Sequence, residues 1–150
     1  MKSYKTHSEE KTIELGRTIA RELPRRAVVL LIGNLGAGKT ALSKGILNGL
    51  GVAAIEEVTS PTFTLIHEYG DGAAYHIDLY RLDTDAEVAN LGLDDLFDRE
   101  AVVLIEWGER FPQRMPDERF EIRIEATGED ERSFELRKIV GGASRNRTDE

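Results

Sequence analysis

The segment Gly33-Asn34-Leu35-Gly36-Ala37-Gly38-Lys39-Thr40 stands directly after the apolar run Ala27 to Ile32. Its glycines and its closing Lys-Thr pair are the residue types that a phosphate-wrapping turn requires. Such a turn offers successive backbone N–H groups to an anion, and glycine permits both the left-handed backbone angles and the close approach. The ammonium of Lys39 has the reach for the β and γ oxygens of a nucleoside triphosphate, and the Thr40 hydroxyl, at the start of a helix, can ligate the accompanying magnesium. Two fixed glycines followed by Lys and Ser or Thr arise by chance in about one chain in a few hundred of this length. A plain glycine-rich turn is therefore the weaker account, and Asn34, Leu35, Gly36, Ala37, Gly38, Lys39, Thr40 and Ala41 are the expected nucleotide-contacting stretch.

A phosphate loop alone hydrolyses or transfers nothing efficiently, so carboxylates must complete the site. Glu106 directly follows Val102-Val103-Leu104-Ile105, and Asp78 lies within Tyr75-His76-Ile77-Asp78-Leu79-Tyr80-Arg81. Both fall near the carboxyl ends of strand-like runs, the edge where open α/β sheets bind ligands. One carboxylate would hold magnesium directly or through water, and the other would orient the attacking water. Spacing does not assign the two roles. Thr59-Ser60-Pro61-Thr62 sits where nucleotide switches carry a hydroxyl that senses the γ-phosphate, although a turn before a strand accounts for the same residues. His76 and Tyr80 read as packing or supporting groups, and the three histidines lack zinc spacing. Trp107, the single tryptophan, stands beside Glu106, where a core, base-side or partner-facing role is open.

The elements that must position these residues follow from periodicity. Ser8, Glu9 and Glu10 ahead of Ile13, Ile19, Ala20 and Leu23 predict a capped amphipathic helix ended by Pro24. A strand over 27–32, the loop, and a helix from Thr40 to about Leu50 come next, with Gly51 as its stop. The β-type runs Phe63 to Tyr69 and Ala73 to Tyr80 flank Gly70-Asp71-Gly72, a hairpin signal that brings antiparallel pairing into an otherwise parallel sheet. One or two short helices are expected between Asp83 and Arg99. Ala101 to Ile105 lacks alternation, as a strand covered on both faces does. Phe120 to Ala126 and Ser133 to Val140 alternate around a Gly-Glu-Asp turn and predict a C-terminal hairpin. The expected fold is α/β, a mixed sheet flanked by helices in one domain over residues 1–140, with a disordered tail at 141–150.

Composition limits the functions available. The chain has 150 residues and no cysteine, which excludes disulfides, thiolate nucleophiles and cysteine-ligated metals. No apolar run approaches the roughly 20 residues of a membrane helix. Met1 to Glu10 is too polar for a secretory signal, so a cytoplasmic protein without membrane contact is expected. A formal charge of -8 opposes broad binding of RNA or DNA backbone. Arg17, Arg21, Arg25 and Arg26 read as a solvated face, with docking of an acidic or RNA-bearing partner as the alternative.

Four ordered motifs are together far more specific than the loop alone: residues 33 to 40, Ser-Pro-Thr-Phe-Thr-Leu at 60 to 65, His-Ile-Asp-Leu-Tyr-Arg-Leu at 76 to 82, and Ile-Glu-Trp at 105 to 107. In these the chain closely resembles the bacterial TsaE (YjeE) ATPases of tRNA threonylcarbamoyladenosine biosynthesis, from about Ser8 to Val140. The resemblance implies a P-loop NTPase-like fold, ATP with Mg2+, and partnership with the proteins TsaB and TsaD, through which tRNA is reached indirectly. It implies weak ATP hydrolysis alone, with nucleotide state resetting the partner complex that modifies adenosine 37. Carried over by position, Lys39 would hold the phosphates, Thr40 and Glu106 would ligate magnesium, Asp78 would support catalysis, and Glu9 would lie near the adenosine. Thr62 and Trp107 join the expected ATP-binding set. A small phosphate-loop kinase is the alternative, but the arginine-bearing lid it needs has only Arg110, Arg114 and Arg119 to draw on. A guanine-nucleotide switch lacks its Asn-Lys-x-Asp pattern.

Overall fold

Why the phosphate loop points where it does follows from the strand before it and the two helices that pack over it. The computed structural model describes residues 1–34, 36–59, 61 and 64–140. Along the chain these form β1 (Lys2–Thr6), α1 (Glu9–Glu22), β2 (Ala27–Ile32), α2 (Lys39–Gly49), β3 (Ile66–Tyr69), β4 (Ala74–Asp78), α3 (Asp85–Ala89), α4 (Leu93–Phe97), β5 (Val102–Glu106), β6 (Arg119–Ala126) and β7 (Arg132–Ile139). The expectations for Leu35, Ser60, Thr62, Phe63 and the tail at 141–150 lie outside the described residues.

The seven strands make one sheet in the order β1-β7-β6-β2-β5-β4-β3. β6, β2, β5 and β4 run parallel, whereas β3 and the β7-β1 pair add antiparallel edges. The mixed sheet is thus as expected, and the hairpin central in the chain supplies one of its edges. β2 and β5 carry consecutive apolar residues because both faces are covered. Ala27, Val29, Leu31, Val102 and Leu104 face α1 and α2, together with Leu15, Ile19, Leu42 and Ile46. Val28, Leu30, Val103 and Ile105 face the other way, onto Val88, Leu93, Leu96 and Phe97 of α3 and α4.

Ser8 caps α1 by accepting a hydrogen bond from the Lys11 N–H at 3.1 Å, with Glu9 and Glu10 in the first turn where the helix dipole favours them. α1 crosses α2 at very short range. A methyl group built on Gly45 would stand 2.1 Å from the Ile13 carbonyl oxygen, and one on Gly16 would stand 2.6 Å from that of Leu42. These glycines let two backbones meet, which holds the N-terminus of α1 beside that of α2. β1 had no counterpart in the sequence reading: only Thr6 of its five residues is buried, and it pairs with β7 by backbone. Lys2 and Lys5 on this outermost strand suit an exposed sheet edge. The basic cluster is spread out, for Arg17 bonds Asn48, and Arg26 bonds the Phe97 carbonyl and pairs with Asp98.

Candidate functional site

β2, β5 and β4 lie side by side, and their register places Leu31 opposite Glu106 and Glu106 opposite Asp78. The carboxyl ends of three parallel strands therefore deliver, in one row, the start of the phosphate loop and two carboxylates. Both carboxylates are buried. By strand alternation they share the face of Leu104 and Ala74, which is the face covered by α1 and α2.

The loop turns at Gly36 and Gly38, whose φ angles of 78° and 111° lie in the left-handed region. An L side chain at Gly38 would be strained there, and its Cβ would also touch the Arg132 side chain at 3.8 Å. Gly38 is the residue before α2, so the free N–H groups and the positive end of that helix open onto the loop's concave side. A cleft of about 510 Å³ lies there, within the size range of small-molecule sites. Its walls bring together Glu9, Gly36, Gly38, Lys39, Thr40, Ala41, Asp78, Glu106 and Trp107 from the expected set. Asn34 and Ala37 do not line it. Ala37 is buried beneath the loop, and its N–H bonds the Asn34 carbonyl at 3.1 Å.

Lys39 is only 5% exposed. Its Nζ donates to the Gly33 carbonyl at 2.7 Å and lies 3.9 Å from the centre of the Trp107 ring. Burial pushes the ammonium below the usual lysine range, against the pull of Glu106, Glu109 and Asp78. Trp107 adopts a left-handed backbone, φ 68°, which is uncommon for a bulky residue and costs on the order of 1–2 kcal/mol. Its ring packs at 5.2 Å on that of Tyr80, an aromatic residue 43% exposed at the cleft's rim. Burial raises the carboxyl pKa of Glu109 above its ordinary value, and its Oε1 is buried with no hydrogen-bond partner.

Several residues in the site escape a reading of the chain. Arg132, from the start of β7, lines the cleft beside Gly38 and donates to the carbonyls of Gly128, Glu129 and Glu131. Thr12 and Asp130 line it too, and Tyr80, which the sequence marks as a packing or supporting group, also stands on its wall. The hairpin pattern located β7, but only the sheet order brings its first residue to the phosphate loop. Arg110 and Arg114 are held elsewhere: Arg110 donates to the Tyr80 carbonyl, and Arg114 pairs with Asp85 at 2.6 Å. Arg119 pairs with Glu121 at the amino end of β6.

Among the described residues no group of three or more His, Cys, Asp or Glu side chains could hold a metal ion by itself. A magnesium ion that arrives with phosphates needs only one or two protein oxygens. The hard oxygen donors of Thr40, Asp78 and Glu106 on one cleft fit that requirement. Among the described residues no helix is long and apolar enough to cross a membrane.

Comparison with known proteins gives a consistent set of relatives. The family model of the threonylcarbamoyl adenosine biosynthesis protein TsaE matches residues 6–134. The tRNA threonylcarbamoyladenosine biosynthesis protein TsaE of Bacillus subtilis is 41% identical over 133 residues, 87% of this chain and 82% of that protein. The protein of the same name from Treponema pallidum is 40% identical over 113 residues, 75% of this chain and 82% of its own. The crystal structure of Bacillus subtilis YdiB superposes with a TM-score of 0.74 at 35% identity, covering 93% of this chain and 86% of that one.

Proposed function

Because the chain belongs to the TsaE family of threonylcarbamoyl adenosine biosynthesis proteins, we propose that it is a magnesium-dependent ATPase serving tRNA modification in the cytoplasm, acting on a TsaB-TsaD complex through its nucleotide state. The observation that carries the ATPase part is the meeting of Lys39 and Thr40 with the aligned carboxylates Asp78 and Glu106 in one cleft.

On this reading the N–H groups of the loop and of the first turn of α2 cradle the phosphates. Lys39 exchanges the Gly33 carbonyl and the Trp107 face for β and γ oxygens. Glu9 would lie at the nucleoside side of the cleft, whereas Trp107 stands beside the Lys39 ammonium, at the phosphate end. Thr40 and Glu106 hold Mg2+, which when bound neutralises charge that develops on the transferred phosphoryl group. Asp78, one strand further out, orients the attacking water. Its carboxylate is fixed for this by the Tyr80 N–H, which it accepts at 2.9 Å. The engagement of Arg110, Arg114 and Arg119 in other bonds favours an ATPase over a kinase with an arginine lid, and agrees with weak turnover in isolation.

The pathway assignment rests on family membership, since fold alone does not specify it. Reconstitution tests it: with TsaB, TsaD, tRNA and threonylcarbamoyl donor supplied, Lys39→Ala should abolish multiple-turnover modification. Modification at the wild-type rate by that variant would refute the proposal.

A further inference from the structure

Directly below Glu106, on the same face of the sheet, lies a histidine that the mechanism above leaves unused. His76 is in β4, two residues before Asp78 and opposite Leu104 in register, and its ring reaches Glu106, two residues further along β5. It is 0% exposed, and its Nε2 lies 2.7 Å from Glu106 Oε2. Above the ring is α2: Ser43 Oγ stands 3.5 Å from the same nitrogen and donates to the Lys39 carbonyl at 2.9 Å. The other ring nitrogen, Nδ1, is buried and has no hydrogen-bond partner.

This geometry fixes the tautomer. Nδ1 lacks a partner in either tautomer, but without a proton on Nε2 two lone pairs would face each other at 2.7 Å, whereas Nε2–H donates to the carboxylate. A ring with no exposure reaches neither water nor nucleotide, so acid-base work on the substrate is excluded. What remains is orientation. Glu106 can accept His76 Nε2–H at Oε2 and so turn Oε1 towards the cleft that holds Thr40.

We propose that His76 is the positioning residue for Glu106, holding one carboxylate oxygen so that the other is presented to the magnesium that accompanies the nucleotide; this rests on the ligand role given to Glu106 above. Partners that orient a metal-binding side chain typically contribute 10- to 100-fold to metal affinity.

The experiment is calorimetric titration of the full chain with ADP, across a series of Mg2+ concentrations and in EDTA. In His76→Leu the Mg2+ concentration that gives half the gain in ADP affinity should rise about 10- to 100-fold, with affinity in EDTA unchanged. His76→Gln supplies an N–H close to the position of Nε2 and should restore most of the Mg2+ response. Wild-type Mg2+ dependence in His76→Leu, or a Gln variant as impaired as Leu, would overturn the inference. Glu106→Gln in the same titration separates the two readings. If it too leaves the Mg2+ response intact, the ligand role of Glu106 fails and the inference falls with it; if it alone abolishes the response, only the role of His76 is wrong. Ring 1H–15N spectra of the wild-type protein give a check that does not depend on a variant folding. The His76 Nε2–H resonance should shift when Mg2+ is added to the ADP complex, and an unmoved resonance counts against the proposal.

Discussion

Replacing Gly45 by alanine sets two known effects against each other at one residue of α2. Inside a helix alanine is favoured over glycine by roughly 1 kcal/mol, so propensity alone predicts a more stable protein. The added methyl, however, would stand 2.1 Å from the Ile13 carbonyl oxygen and 2.9 Å from the Gly16 Cα. Contacts of a Cβ below 3.0 Å are essentially unknown, so α1 and α2 must part by at least 0.9 Å, the difference between 3.0 and 2.1 Å. The obstacle is backbone and cannot rotate aside. Parting the helices also opens a gap among Leu15, Ile19, Leu42 and Ile46, and a gap of 0.5–1 Å forfeits about a quarter to a half of each dispersion contact across it. Overpacking at the upper end of its usual cost, about 3 kcal/mol, outweighs the propensity gain and leaves a net loss of about 2 kcal/mol. In a chain of this size that is a fall in Tm of about 4–8 °C. Urea unfolding followed by Trp107 emission, with calorimetry alongside, measures it. A Gly45→Ala protein as stable as the wild type would refute the claim that this crossing needs a bare backbone.

Three further outcomes follow from the site. Trp107 is the only tryptophan and lies 3.9 Å from Lys39 Nζ, so ADP titration should change its emission saturably; the change should be absent in Lys39→Met, and binding without any change would mean that Lys39 stays on the ring. Burial raises the Glu109 carboxyl above 4.5, so the folded protein holds more protons than the unfolded chain near that pH, and stability falls as pH rises through the window. Glu109→Gln should therefore raise the urea midpoint at about pH 7 and lose that advantage as the pH drops below the ordinary carboxylate value, with equal midpoints at both pH values counting against the burial effect. Arg132→Ala should weaken nucleotide binding about tenfold, the worth of one charge-assisted hydrogen bond, as read by calorimetry.

How much of this could be read from the chain depends on the range of the interaction involved. The strand, loop and helix over Ala27 to Gly49 were legible because each signal is local: an apolar run, glycines at left-handed angles, a helix start. Glu106 and Asp78 were legible as carboxylates at strand ends, although sequence could not place them abreast. β1 was hidden because an outer strand buries one side of few residues, and its ladder partner lies more than a hundred residues away. The His76 to Glu106 bond joins residues 30 apart, and the Arg132 side chain reaches the loop only through the sheet order. Neither leaves a pattern in the residues around it.

The charge of the cleft bears on why the proposed nucleotide would need a divalent cation. Its walls carry Glu9, Asp78, Glu106 and Asp130 against Lys39 and Arg132, in a chain whose formal charge is already -8. Lys39 is moreover engaged by the Gly33 carbonyl and the Trp107 ring. A bare triphosphate entering beside two buried carboxylates would meet like charge at short range, where screening by salt is least effective. With Mg2+ the same carboxylates would change from a repulsive wall into part of the proposed binding site. On the proposed function, the acidity of the cleft would select the metal complex over the free nucleotide, and the Glu106 carboxylate held by His76 would be the feature on which that selection turns.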